Sequence, residues 1–201
     1  KPLRPPPGKG PLEDLRQESR ANGVTAVCAI QTSTFYRFDN RYILDSSKAN
    51  PDWVAGVCTL DPDNPRSPSL LVKYAREYGI RGMRSIAAEG KQLDHPGVRA
   101  LWKTALDEGL VINVLIGPEL ADQADRLLGQ FSSLPVVLDH CLNPAAGPNL
   151  EPTLRKVIHL SRHKNLHAKL TFVATGSSTG FPCADMHEAC LRVADAFGAE
   201  R

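Results

Sequence analysis

Short runs of Val, Ile and Leu alternate along the chain with longer stretches in which apolar residues recur at three- and four-residue spacing. The runs begin near Val24, Val54, Ile80, Val111, Pro135 and Leu166, at intervals of 30, 26, 31, 24 and 31 residues. The stretches between them have the apolar stripe of surface helices, at 12–20, 69–77, 96–108, 121–131 and 151–162. In the third of these, Val98, Leu101, Trp102, Ala105 and Leu106 share one face. Asn22-Gly23, Gly79 and Gly109 then end three helices just before the next run.

Strands and helices alternating at this period imply parallel strands joined by right-handed crossovers. Two architectures satisfy that rule, an open doubly wound sheet and a closed barrel. A nucleotide-binding open sheet carries a glycine fingerprint after its first strand, whereas Ile30-Gln-Thr-Ser-Thr34 stands here. The predicted fold class is therefore α/β, a (β/α)8 TIM barrel that is incomplete, with about six of eight βα units present. Eight units at this spacing would need roughly 230 residues, near the ~250 of a typical barrel. Residues 1–11 hold five prolines and two glycines and read as a surface loop ahead of a barrel domain at 12–201.

Composition narrows the function classes. The chain of 201 residues is 42% hydrophobic, yet no apolar run approaches the ~20 residues of a membrane-spanning helix, so no membrane partner is expected. Lys and Arg total 24 against 22 Asp and Glu, without a basic stripe, so no nucleic-acid partner is expected either. The five cysteines include no Cys-x-x-Cys pair, and Cys28 and Cys58 sit inside apolar runs, which fits a reducing, cytoplasmic setting. The first residue is Lys1 and no apolar stretch follows it, so the expectation is a chain without a signal peptide and incomplete at its start.

Barrel chemistry gathers at the carboxyl ends of the strands, on inward side chains. His140, ending Leu134-Pro-Val-Val-Leu-Asp-His140, is the candidate catalytic residue and a candidate metal ligand, since a neutral imidazole there can move protons or bind a divalent ion. Strict alternation puts His140 on the face of Leu138 and Val136, and Arg84 on that of Gly82. Arg84 can grip a substrate carboxylate, or form an ion pair with Glu89 or Asp94. Lys169, inside an otherwise apolar run, needs a carboxylate or a polar cavity unless it snorkels outward. Three further patterns read as structural. His159 and His163 have helical spacing but lack the Glu of a zinc-protease motif; Cys183, His187 and Cys190 suggest one packed helix face; Ala174-Thr-Gly-Ser-Ser-Thr-Gly180 lacks the Gly-Lys of a P-loop and reads as a mobile surface loop.

Six segments in order carry a family resemblance: Gly23-Val-Thr-Ala-Val-Cys-Ala-Ile-Gln31, Tyr36-x-x-Asp39-Asn40-x-Tyr42, Gly79-Ile-Arg-Gly-Met-Arg84, Leu134-Pro-Val-Val-Leu-Asp-His140, His167-Ala-Lys-Leu170 and Ala196-Phe-Gly-Ala-Glu-Arg201. From about residue 12 to 201 the chain resembles the amidohydrolase-related TIM-barrel hydrolases, which include dicarboxylate lactonases and metal-dependent decarboxylases acting on aminocarboxymuconate semialdehyde. The resemblance implies a hydrolase cleaving a lactone or related C–O or C–N bond of a small carboxylated substrate. His140 would be the sixth-strand histidine and Arg84 a substrate-carboxylate contact, with Gln31, Ser33, Tyr36 and Lys169 lining the mouth. Family members open with a His-x-His strand and close with a Gly-Ser/Thr-Asp strand, and neither pattern occurs here. Where metal-dependent members place a fifth-strand histidine, this chain has Asn113-Val-Leu-Ile-Gly-Pro-Glu119. The cofactor expectation is therefore none, or a divalent metal such as zinc held by an incomplete ligand set. The rival readings are a decarboxylase of the same family, a non-catalytic truncated barrel, and an open sheet binding a nucleotide. Self-association into a homo-oligomer is compatible with each. Two uncovered strand edges also lead to the expectation that the chain alone aggregates.

Overall fold

The structure, a computed structural model, describes residues 10–201. Most of the loop expected at 1–11 therefore lies outside the described residues; Gly10 and Pro11 have no regular structure. The strands are β1 (Val27–Ile30), β2 (Val54–Thr59), β3 (Gly82–Ser85), β4 (Val111–Val114), β5 (Val136–Leu138) and β6 (Leu166–Ala168). The helices are α1 (Leu12–Ala21), α2 (Ser33–Tyr36), α3 (Arg41–Ala49), α4 (Ser67–Tyr78), α5 (Pro96–Asp107), α6 (Ala121–Gln130), α7 (Leu150–Leu160), α8 (Val173–Gly176) and α9 (His187–Phe197). Among them, no helix is long and apolar enough to cross a membrane.

All six strands are parallel and lie in sequence order, β1-β2-β3-β4-β5-β6. A doubly wound sheet must reverse its strand order at the crevice where it binds a ligand. No reversal occurs, so every crossover places its helix on the same face and the sheet curls as a partial barrel. That order removes the open nucleotide-binding sheet from consideration.

Register fixes which side chains share a face. Thr59 stands opposite Arg84, Arg84 opposite Asn113, Asn113 opposite Val137 and Val137 opposite His167. A Cβ placed on Gly82 would meet Val57 Cγ2 at 3.3 Å and Asn113 Oδ1 at 3.7 Å, which puts Gly82, Val57 and Asn113 on one side. The alternate residues Cys58, Met83, Ile112, Val136, Leu138 and Leu166 are buried in the core with the helices. Sealing each such side chain from water contributes roughly 1.5–3 kcal/mol, so this face carries the stability. Helix endings follow the sequence: Gly79, at φ +69°, closes α4 in the left-handed conformation that only glycine adopts without a Cβ penalty, and Gly109 repeats this after α5.

Two features depart from the sequence expectation. Helix α3 has no counterpart in the periodicity, because its buried side includes Ser46 and Ser47 beside Ile43 and Leu44. Ser47 packs so closely on β2 that its Oγ would lie 1.9 Å from a Cβ at Gly56; a small residue and a glycine replace the usual apolar contact. The second departure is at the loop 174–180, where Asp185 accepts Ser177 Oγ (2.6 Å), the Ser178 N–H (2.8 Å), Ser178 Oγ (2.9 Å) and Thr179 Oγ1 (3.0 Å). These bonds, led by that from Ser177, hold the Asp185 carboxyl far below its usual range. The loop is thus pinned, and a carboxylate sits among the hydroxyls where a phosphate would have to bind.

Candidate active site

The carboxyl ends of β3, β4, β5 and β6 bring one polar cluster together on the face opposite the helices. Its centre is Asp139, directly after β5, whose side chain is fully buried. Arg84 of β3 donates to Oδ2 from Nε (3.1 Å), and a terminal guanidinium nitrogen stands 3.0 Å from the same oxygen as an ion pair. Lys169, one residue past β6, donates to Oδ1 at 3.1 Å, and Asn113 Nδ2 of β4 stands 3.5 Å from the same oxygen. Burying a carboxylate is costly unless it is paired and hydrogen-bonded, and here it is both. The partner that Arg84 finds is therefore Asp139, across two strands, rather than Glu89 or Asp94; Asp94 is engaged by Arg99 and Arg126. Lys169 has the carboxylate that its position demanded.

His140 follows Asp139 but does not continue the strand. His140, Cys141, Leu142 and Asn143 all have positive φ, at 56°, 48°, 65° and 55°, and the Asn143 N–H donates to the His140 carbonyl at 2.8 Å. This is a turn of left-handed helix, which costs an L-residue roughly 1–2 kcal/mol per position. It is held by burial: Cys141 and Leu142 are both fully covered, and the Cys141 thiol, pushed up to about 12 by that burial, points at the Lys169 carbonyl at 3.4 Å. The turn overrides strand alternation. Leu138 and Val136 face the helices, while the half-buried imidazole of His140 is swung to Thr171, beyond β6, with Nδ1 2.6 Å from Thr171 Oγ1. Nε2 has no partner among the described residues.

The other candidates belong to the segment that follows β1. Gln31 donates from Nε2 to the carbonyls of Arg37 (2.7 Å) and Asp39 (3.3 Å), folding the segment after β1 over its own side chain and leaving Oε1 buried without a partner. Gln31 and Tyr36 line a depression of about 210 Å³ with Leu12, Leu15, Asp39 and Tyr42, and none of Arg84, Asp139, His140 or Lys169 borders it. Ser33 opens the short helix α2. The structure thus joins Arg84 and Lys169 through Asp139, with His140 next to Asp139 in the chain and its imidazole on Thr171, while Gln31 and Tyr36 line a different depression. Asp139 is the residue that sequence reasoning passed over. Charge parity was the available signal, since two cations on inward strand positions call for a carboxylate at the same level.

His163, just past α7, bonds Asp125 of α6 at 2.7 Å, beside Arg162 at 2.5 Å, and His159 lies 3.9 Å from the same residue. This is an ion network between two outer helices. Cys183 precedes α9, at φ 61°, so the three-residue face expected of Cys183, His187 and Cys190 does not form on one helix. Among the described residues, no group of three or more His, Cys, Asp or Glu side chains could hold a metal ion. The donors here do not fit one by themselves, because the lone pairs of Asp139 are taken by cations and His140 remains alone.

The sequence profile of the family described as amidohydrolase matches residues 1–201. The chain belongs to the amidohydrolase family. Membership places it among enzymes and agrees with the partial barrel. No curated protein matches the chain. Among solved structures, a putative 2-pyrone-4,6-dicarboxylic acid hydrolase from Pseudomonas putida superposes with a TM-score of 0.81 at 23% identity, covering 98% of this chain and 72% of that one. An amidohydrolase from Burkholderia multivorans with bound zinc gives 0.77 at 19% identity, covering 92% and 69%. The 5-carboxyvanillate decarboxylase from Sphingomonas paucimobilis gives 0.55 at 15% identity, covering 92% and 83%. At these identities the likeness is one of fold: this amidohydrolase chain has the architecture of about seven-tenths of the first two barrels.

Proposed function

We propose that the chain serves a hydrolase that opens a lactone, or a related C–O or C–N bond, in a small carboxylated substrate. The observation that carries this reading is the meeting of Arg84 and Lys169 on Asp139 at the carboxyl end of the sheet, with His140 next in the chain and its imidazole held by Thr171 beyond β6. Lys169, a third exposed, takes the substrate carboxylate, and Arg84 holds Asp139 behind it. His140 presents Nε2 to the carbonyl oxygen and stabilises the negative charge that develops there as water attacks. Asp139 anchors the cations. The base that the resemblance supplies, an aspartate in a Gly-Ser/Thr-Asp strand, is not among residues 1–201.

The named function of the P. putida neighbour, a dicarboxylic acid hydrolase, supports the lactone assignment, and the B. multivorans neighbour supports zinc as the metal if one takes part. The decarboxylase neighbour supports a second reading, decarboxylation of a carboxylated ring, which turnover that requires an added divalent metal would favour. Five free thiols support a reducing compartment such as the cytoplasm.

His140→Ala, made in the full-length parent that supplies the base, tests the proposal. It removes the group facing the carbonyl and lowers kcat for a lactone carboxylate by about 10²–10³-fold, with the circular-dichroism spectrum unchanged. A wild-type rate in a folded variant ends the assignment.

A further inference from the structure

The charges on the inner wall do not balance, and the imbalance sets a substrate class. Arg84 and Lys169 bring two positive charges and Asp139 one negative, so a single positive charge is left over. It is not shared equally. Arg84 is 11% exposed and faces one oxygen of Asp139 with an Nε–H bond and a close ion-pair contact, whereas Lys169 is 33% exposed and has spent one of its three N–H groups. Lys169 is thus the cation that still meets an incoming anion. Around it, His140 is occupied at Nδ1 by Thr171, and Asn113 is turned to Asp139.

We propose that this wall accepts one carboxylate per substrate, on Lys169, and that Asp139 sets that number. The inference rests on the hydrolase reading above and goes beyond it by naming the substrates as lactones with a single carboxylate. Among the described residues, the inward strand positions offer a second carboxylate no third Lys or Arg, and it meets the field of Asp139. Asp139 is the specificity-determining residue: it consumes Arg84 and touches no substrate atom.

The test is titration calorimetry of the full chain with two probes, 2-pyrone-6-carboxylate and 2-pyrone-4,6-dicarboxylate. The monocarboxylate is expected to bind at least tenfold more tightly. Asp139→Asn, which keeps the shape and removes the charge, is expected to tighten the dicarboxylate at least tenfold and erase the preference. Lys169→Met, which leaves Arg84 and Asp139 as a neutral pair, is expected to weaken the monocarboxylate at least tenfold. Should Asp139→Asn fail to fold, the order of the two probes on the wild type and the Lys169→Met result decide alone. Tighter binding of the dicarboxylate by the wild type, or an unchanged Kd in Lys169→Met, overturns the charge count and leaves the hydrolase reading standing. Absence of binding by both probes overturns the two together. An inactive site that still prefers the monocarboxylate overturns only the hydrolase reading.

Discussion

On the helix-covered face of the sheet, Cys58, Met83, Ile112 and Leu138 have at most 1% of their surface exposed, whereas the opposite face of the same strand region carries Arg84, Asn113, Asp139 and Lys169. Neighbouring residues along one strand therefore obey different physics. The outward ones gain by leaving water without regard to direction; the inward ones gain only where a donor meets its acceptor. The outer face should tolerate changes of shape within limits of volume, and the inner face should respond to charge, pair by pair.

The largest effect belongs to the outer face. Trp102 of α5 is fully buried, donates from its indole to Ser85 Oγ at 2.9 Å and packs on Phe131 with ring centroids 5.8 Å apart. Trp102→Ala is expected to cost about 3–5 kcal/mol in urea denaturation, the usual loss for a buried aromatic. Anion binding at Lys169 should stay unchanged wherever the variant is folded. A linked loss of both would show that the two faces are not independent.

That outer face was legible in the sequence and the inner one was not, for a reason visible in particular residues. Runs such as Val111–Val114 and the 98-101-102-105 stripe repeat at a fixed spacing, and periodicity reads them directly. Five of the helices and all six strands follow from it to within a few residues. Helix α3 escaped because serines replace apolar residues on its buried side. The pairing of Arg84 with Asp139 spans 55 positions and exists only through the order β3-β4-β5, so local reading offered Glu89 and Asp94 instead. His140 stands out by its chemistry, but its direction does not, because four consecutive positive φ angles cannot be inferred from His, Cys, Leu and Asn.

The inner face has an effect of comparable size that a second substitution can reverse. Asp139→Leu removes the carboxylate bonded to Arg84 and is expected to cost about 3–5 kcal/mol, because a buried guanidinium is left unpaired. Adding Arg84→Met to that variant should restore most of the loss, since an apolar pair of similar volume is often no worse than a buried ion pair. Lys169 can reach solvent in both variants. Urea denaturation of the two single variants and the double one closes the cycle; simple additivity would mean that the contact does not govern this wall.

The smallest perturbation tests the division of faces without touching stability. Cys28 and Cys58 lie in adjacent strands, and register places Cys28 opposite Ala55, on the face of Val57 and Thr59, while Cys58 falls between those two and points the other way. Cys28 is exposed and Cys58 is fully buried. A thiol reagent added to the folded chain should therefore mark Cys28 and spare Cys58 and Cys141, both pushed up to about 12 by burial, as peptide mapping by mass spectrometry would show. The Cys28 thiol is itself raised, chiefly by desolvation, with Lys169 and Arg84 lowering it and Asp139 raising it. The thiolate is the reactive form, so its labelling rate should climb with pH and still be climbing at pH 9. An anion seated on Lys169 cancels the nearby charge that favours the thiolate and should slow the labelling further. That response ties the thiol to the same wall as Asp139, whereas rapid labelling of Cys58 in the folded chain would mean that the strand is turned the other way.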